Sequence, residues 1–313
     1  MKNIEIFYPS FTKKAVTFTI DDGNIQYDSI FLDIVRPAGI KGTFNLCTHL
    51  NRGKEDLLRE LYRGYEIANH CKYHPFVNYD GAELVISDER FDPESADERF
   101  IYRVEGMEGF FWQMKGNGWR QMVFELDFIR YVDEGLSELN AIFGEGAVRD
   151  FVWPYGEQSN ESVKDHVRGN YRSVRRTGCL LDTTGFALPD DLWAWTYNAN
   201  HDNLLEVMEI YDRFSDDGEL KMFSFGVHSI DFERFGKWDD LREFANKYGK
   251  REDVYWYATV GEIFDYKAAT ESLYLTDCCA ENRSNLDLYL TVDGIRTVIH
   301  AGECVVFEKE KEI

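Results

Sequence analysis

The run Ala15-Val-Thr-Phe-Thr-Ile20 most constrains the fold. It is β-branched and aromatic, too short for a buried helix, and ends abruptly at Asp21-Asp22-Gly23. A helical pattern follows Asn24, which reads as its cap, through Ile30, Phe31, Ile34 and Val35 to a stop at Pro37. Gly42-Thr-Phe-Asn-Leu46 reads as a second strand, Lys54 to Tyr62 as a helix, and Tyr65-Glu-Ile-Ala68 as a third strand. Strands alternating with helices, with polar residues at the strands' C-terminal ends, predict a parallel α/β sheet or barrel whose site lies at that end.

The polar residues at those ends have metal-ligand character. Asp21 and Asp22 close the first strand, and about fifty residues later His70 and His74 follow the third in Ala68-Asn-His-Cys-Lys-Tyr-His-Pro75. A helical turn would put the two imidazoles on one face. Two histidines and a carboxylate hold a divalent metal with positions open for water and substrate, and leave one carboxylate to act as a base. Gly23 permits a tight turn that lets both carboxylates face one site. Cys71, between the histidines, is expected to point away as a packed thiol.

Beyond the third strand the rhythm breaks. Residues 79–118 are first charged, then aromatic and glycine-rich, and read as a lid, a substrate wall or a plain surface excursion. Helices are then expected over Gln121 to Phe143, Glu161 to Arg168, Asn203 to Phe214, Lys237 to Tyr248 and Val260 to Ala269. Strands are expected over Val148 to Trp153, Tyr171 to Arg175, Leu220 to Gly226 and Val254 to Trp256. From Glu271 short alternating segments with an Asp293-Gly294 turn predict a small antiparallel β module. The expected division is 1–270 for the barrel and 271–313 for the appendix.

Four segments carry a family resemblance. Thr17-Phe-Thr-Ile-Asp-Asp-Gly23, Gly64-Tyr-Glu-Ile-Ala-Asn-His-Cys-Lys-Tyr-His-Pro75, Arg149-Asp-Phe-Val-Trp-Pro-Tyr-Gly156 and Phe223-Ser-Phe-Gly-Val-His-Ser229 resemble the first, second, third and fifth motifs of the polysaccharide deacetylases. This is the NodB-homology superfamily, or carbohydrate esterase family 4. Leu188-Pro-Asp-Asp-Leu-Trp-Ala-Trp195 and the β tail resemble a cytoplasmic bacterial subset. The resemblance implies a distorted, seven-stranded (β/α) barrel that hydrolyses N- or O-acetylated carbohydrate with a divalent metal, zinc or else cobalt or nickel. It implies Asp21 as general base, Asp22, His70 and His74 as metal ligands, the Tyr155 N–H as oxyanion donor and His228 as general acid.

The chain departs from that pattern in places. Val152 stands where the family has the Arg that orients its base; Arg149, Arg175 and Arg176 are candidate replacements. The Asp that tunes the acid is Asp190, Asp191 or Asp231, and Gly226 replaces a Leu. His201 reads as a site residue or a helix cap, and Trp153, Trp193 and Trp195 as sugar platforms or core. Rival readings are a cyclic-amide hydrolase resembling allantoinase, a noncatalytic carbohydrate-binding protein, and an iron oxygenase using the same triad.

Charge narrows the partners. With 35 Lys and Arg against 57 Asp and Glu, the net charge of −22 repels nucleic acid, anionic membranes and strongly anionic polymers. Met1 to Ser10 lacks a basic, apolar leader and no segment approaches eighteen apolar residues. Cys47, Cys71, Cys179, Cys278, Cys279 and Cys304 form no CxxC pair, so the expectation is a cytoplasmic protein with reduced thiols.

Overall fold

The computed structural model describes residues 2–77, 85–115, 118–156, 161–176 and 185–307. Seven parallel strands, numbered among themselves, form one curled sheet: β1 (Lys14–Asp22), β2 (Thr43–Leu46), β3 (Glu66–Asn69), β4 (Asp150–Val152), β5 (Ser173–Arg175), β6 (Lys221–His228) and β7 (Tyr255–Tyr257). Their order is β5-β4-β3-β2-β1-β6, and β7 pairs with the first half of β1, beside Lys14 to Val16. The gap between β5 and β6 is spanned by an irregular segment. Val174 N–H donates to Leu192 O (2.8 Å), Arg176 N–H to Trp195 O (2.9 Å) and Gly226 N–H to Ala199 O (2.9 Å). The wall is therefore the distorted barrel expected, completed by a stretch without strand periodicity.

Strand alternation separates two environments. On β1, Val16, Phe18 and Ile20 enter the large apolar core, as Phe223, Phe225 and Val227 do on β6. Phe18 packs edge-on against Phe31 with centroids 4.9 Å apart, and burying each such ring contributes roughly 1.5–3 kcal/mol. The alternate residues face inward and are polar: Thr17, Thr19, Asp21, Asn45, Arg175 and Ser224 are all buried. A continuous apolar exterior thus surrounds a polar interior that opens at the strands' C-terminal ends.

Eight helices accompany the described strands: α1 (Ile25–Val35), α2 (Glu55–Leu61), α3 (Glu125–Phe143), α4 (Glu161–Asn170), α5 (Leu204–Arg213), α6 (Ser229–Arg234), α7 (Trp238–Tyr248) and α8 (Val260–Glu271). Asn24 precedes α1 but makes no side-chain cap; its carbonyl accepts from Asp28 N–H instead. Helix α3 begins four residues later than expected because Gly118–Val123 is a strand. The short α6 was not foreseen.

The segment after His74 builds its own five-stranded mixed sheet, in the order 76–77, 118–123, 110–115, 100–103 and 85–87. Residues 78–84, 116 and 117 of this region, and Cys179, lie outside the described residues; the other five cysteines are free thiols. The tail divides into two three-stranded sheets. One of them takes in the N-terminal strand Ile4–Phe7, which pairs with Leu288–Val292, so the division proposed at 270 is crossed by the chain's first strand. Among the described residues no helix is long and apolar enough to cross a membrane.

Candidate active site

Asp21, His70, His74, Tyr155, His201 and His228, from different parts of the sequence, line one cavity of about 240 Å³ at the strands' C-terminal ends. Asp21 and Asp22 are the last two residues of β1. Asp22 adopts a left-handed backbone (φ 76°), which lets consecutive carboxylates serve one site where extended backbone would send them to opposite faces. Gly23 follows with φ 77°, and a Cβ there would stand 2.7 Å from Leu46 Cδ2.

His70 and His74 are not on a helical turn. They sit in an irregular loop in which Cys71 (φ 65°) and His74 (φ 54°) are both left-handed, and this loop brings the rings to 4.5 Å between centroids. Cys71 turns away into the core, where burial pushes its thiol up to about 12. His70 Nδ1 meets the Val152 carbonyl at 2.9 Å, which sets Nδ1 as the donor and frees Nε2 as a lone pair aimed at the site. Burial lowers His70, and burial first of all pushes His74 down to about 2, so both rings are neutral, the form that binds a metal.

The donor set fits a metal. His70 Nε2 and Asp22 Oδ1 are both buried without a hydrogen-bond partner and lie 3.7 Å apart; His74 Nε2 is 3.8 Å from the same oxygen. Those gaps are too long for hydrogen bonds. Each matches the separation of two ligands that share one ion at about 2.0–2.2 Å each, while the ligand atoms that all lie within 4.8 Å of one another are those of Asp22, Cys47 and His70, without His74. Cys47 had no role in the sequence reading, yet its sulfur lies with a carboxylate oxygen of Asp22 and a ring nitrogen of His70 inside a 4.8 Å group. Its thiol donates to the His70 carbonyl at 3.2 Å, and burial pushes it well above its ordinary value, so it braces the His70 backbone as a protonated thiol.

Asp21 is held apart from Asp22, His70 and His74. Its Oδ1 accepts from Asn45 Nδ2 (2.7 Å) and from Arg175. Burial opposes its charge, but Arg175 first, with the protonated His228 beyond it, holds the carboxyl well below the usual range. Of the candidate arginines, Arg175 is the one in contact with Asp21. Arg175 and Val152 are register partners on adjacent strands. Arg149 is engaged elsewhere, bidentate to Asp265 at 3.0 Å.

His228 ends β6. Its Nδ1 meets Asp231 Oδ2 at 2.8 Å while Nε2 stands 3.8 Å from Asp22 Oδ2. Burial alone would lower it, but the Asp231 hydrogen bond and the Asp21 and Asp22 charges push it up to about 9, so it is protonated at neutral pH. Asp231, on the first turn of α6, also accepts from the His228 N–H (3.3 Å). Of the three candidate aspartates it is the one in contact with the histidine; exposed Asp191 caps the Trp193 N–H instead.

Tyr155 also has a left-handed backbone (φ 57°). Its ring is stacked on Phe76 (3.5 Å, 11°) and set edge-on to His74 (4.4 Å), with the Arg120 guanidinium 4.6 Å over Phe76. The inserted sheet is thereby tied to the site through its first strand. His201 lines the cavity and stacks on Phe235 at 4.6 Å. Two of the tryptophans, Trp153 and Trp195, are buried and offer no sugar platform. Trp153 and Trp195 are core residues packed on Phe128 and Phe264, and Trp193 is exposed but not among the cavity's lining residues. Tyr197 and Asn200 complete the wall; both lie in the irregular closing segment, which carries no periodic signal.

The polysaccharide deacetylase family model matches residues 9–174, and the chain belongs to that family. Among solved structures it is similar to a Mycobacterium smegmatis protein assigned to the polysaccharide deacetylases, at 15% identity and TM-score 0.51, over 87% of this chain and 96% of that one. It is also similar to peptidoglycan deacetylase PdaC of Bacillus subtilis (13%, TM-score 0.45, 83% and 94%). A third is the Xyl-CE4 domain of a multidomain xylanase from the hindgut metagenome of Trinervitermes trinervoides (16%, 0.46, 82% and 92%). At these identities the likeness concerns the fold. Among curated proteins none matches the chain by sequence.

Proposed function

We propose that this chain is a metal-dependent hydrolase that removes acetyl groups from an N- or O-acetylated carbohydrate, an oligosaccharide or small glycoside, in the cytoplasm. The observation that carries the reading is the pair of buried, unpartnered atoms, Asp22 Oδ1 and His70 Nε2, facing each other beside His74 while Asp21 is bound separately to Arg175. A ligand trio with a detached, ionised carboxylate is the division of labour hydrolysis needs.

A divalent ion held by Asp22, His70 and His74, zinc or else cobalt or nickel, would polarise the acetyl carbonyl and acidify water. Asp21 takes the attacking water's proton. Both of its hydrogen bonds from Asn45 and Arg175 end on Oδ1, which leaves Oδ2 for that proton. The Tyr155 N–H, turned by its left-handed backbone, donates to the developing oxyanion. His228 Nε2 gives its proton to the departing amine or alcohol, and Asp231 keeps that ring charged and oriented. The acidic surface favours a neutral saccharide over an anionic polymer. Arg175 removes the main reason for a noncatalytic reading, since the base does not lack its guanidinium.

The test is acetate release from a panel of acetylated xylo- and chito-oligosaccharides beside cyclic amides of the allantoin type, with metal supplied. Acetate from the saccharides alone is expected. Ring opening of the cyclic amides without acetate release would overturn the substrate class.

A further inference from the structure

The loop that presents His70 and His74 is strained, since Cys71 (φ 65°) and His74 (φ 54°) are left-handed without being glycine. Such backbone persists only where its surroundings over-determine it. Lys72, between the two histidines, supplies the fixed point. Its N–H donates to Tyr131 O on α3 (3.1 Å), and its carbonyl accepts from the His49 N–H (3.2 Å) and meets His49 Nδ1 (2.7 Å). Its side chain is only 9% exposed, and Nζ reaches Glu134 Oε2 at 2.8 Å and Glu138 Oε1 at 2.6 Å. Those carboxylates, four residues apart, share one face of α3. Glu138 also accepts from the Thr48 hydroxyl, so this one cation ties the helix to the histidine loop and to the segment after β2.

Helix α3 has a matching seat for that loop. Gly135 lies in its interior, where glycine is a poor helix former. A Cβ there would stand 2.8 Å from Asn69 Oδ1 and 3.2 Å from Lys72 N, so the loop rests directly on the helix backbone. Asn69 fastens the entry to the loop: Nδ2 donates to Val132 O on α3 (2.9 Å), and Oδ1 accepts from the Cys71 N–H (2.9 Å). Lys72 and its partners on α3 are not among the residues lining the cavity, so their effect must pass through the histidines. We propose that Lys72 is a positioning residue: its clamp on α3 holds His70 and His74 in ligand geometry and thereby sets the affinity of the site for its divalent ion. The inference rests on the metal-dependent reading. Without the clamp the loop relaxes from its left-handed backbone, and the apparent affinity falls in proportion to the fraction of chains that keep the competent form.

The test measures the zinc dissociation constant of chelator-stripped protein by competition with a chromogenic chelator, beside the melting temperature of the metal-free form. Lys72→Met and the double variant Glu134→Ala, Glu138→Ala should each weaken zinc binding about 10–100-fold. Gly135→Ala, which lifts the loop off the helix, should do the same. The double variant changes half-exposed side chains, so it decides the matter if Lys72→Met does not fold. His166→Gln breaks a contact to Asp133 of α3 (2.7 Å) away from the clamp, and should leave the constant unchanged. A clamp that merely supports the fold would lower the melting temperature and leave zinc affinity as in the wild type; that result would overturn the proposal. So would an equal loss of affinity in His166→Gln. Failure of the wild type to bind zinc, cobalt or nickel would overturn the metal-dependent reading, and this inference with it.

Discussion

Replacing Arg175 with Met removes the cation that keeps Asp21 ionised inside the barrel. The molecule contains its own comparison. Asp28 is a carboxyl equally buried but without a cation beside it, and burial pushes it up to about 7 despite its hydrogen bond from Tyr62. Asp21, with Arg175, stays well below the usual range. Loss of an adjacent opposite charge raises a carboxyl by about 1–3 pH units. At about 1.4 kcal/mol per unit, the loss of stability at neutral pH is about 1.4–4 kcal/mol. The sign follows from linkage: a depressed carboxyl contributes stability above its unfolded value, and that contribution is lost as pH falls through the folded value. The stability gap between wild type and Arg175→Met should therefore be widest near neutrality and close on acidification. Carboxyl NMR on the metal-free protein reads the Asp21 titration directly, and kcat/KM against pH on the loaded enzyme should gain an acid limb. Moving the guanidinium to the register-paired strand, Val152→Arg with Arg175→Val, should restore part of both. An unchanged Asp21 titration together with a near-normal rate in Arg175→Met would refute the assignment.

Asp21→Asn should keep its metal and lose about 10²–10⁴-fold in turnover, measured by acetate release beside metal analysis, because an amide cannot take the water's proton. His228→Ala should depress hydrolysis of an N-acetylated sugar far more than that of an aryl acetate, whose phenol departs without a proton. Asp231→Asn should move the alkaline limb of the rate profile to lower pH, since Asp231 is the first of the groups raising His228 to about 9; a limb that stays in place would exclude it as the tuning group. Phe76→Ala should free the Tyr155 ring and lower kcat more than it raises KM, with metal content unchanged; an unaltered kcat would mean that the stack does not position Tyr155.

How legible these features were depended on the range of the physics behind them. The strand β1 and its carboxylate end were readable because an apolar β-branched run that stops at charge is a local pattern. The ligand candidates were readable as residue types, but their approach was not: it depends on left-handed backbone at Asp22, Cys71 and His74, and non-glycine residues give no warning of that. Arg175 could only be named beside Arg149 and Arg176, because the register of β4 against β5 decides which guanidinium reaches Asp21. Asp231 was similarly one of three until α6 placed it against His228. The closing segment with Tyr197 lacks periodicity, and Ile4–Phe7 pairs across the whole chain length with the tail, so both lay beyond any window of sequence. Trp153 and Trp195 were ambiguous because a large aromatic near a motif fills core as readily as it lines a site.

The most direct test of the account is a metal titration of chelator-stripped protein, followed by acetate release at each point. Activity should rise linearly with added zinc, cobalt or nickel and break at one ion per chain, and the His70→Ala, His74→Ala double variant should neither bind that ion nor gain activity. Full acetate release from metal-free protein, or a stoichiometric ion retained by the double variant, would contradict it.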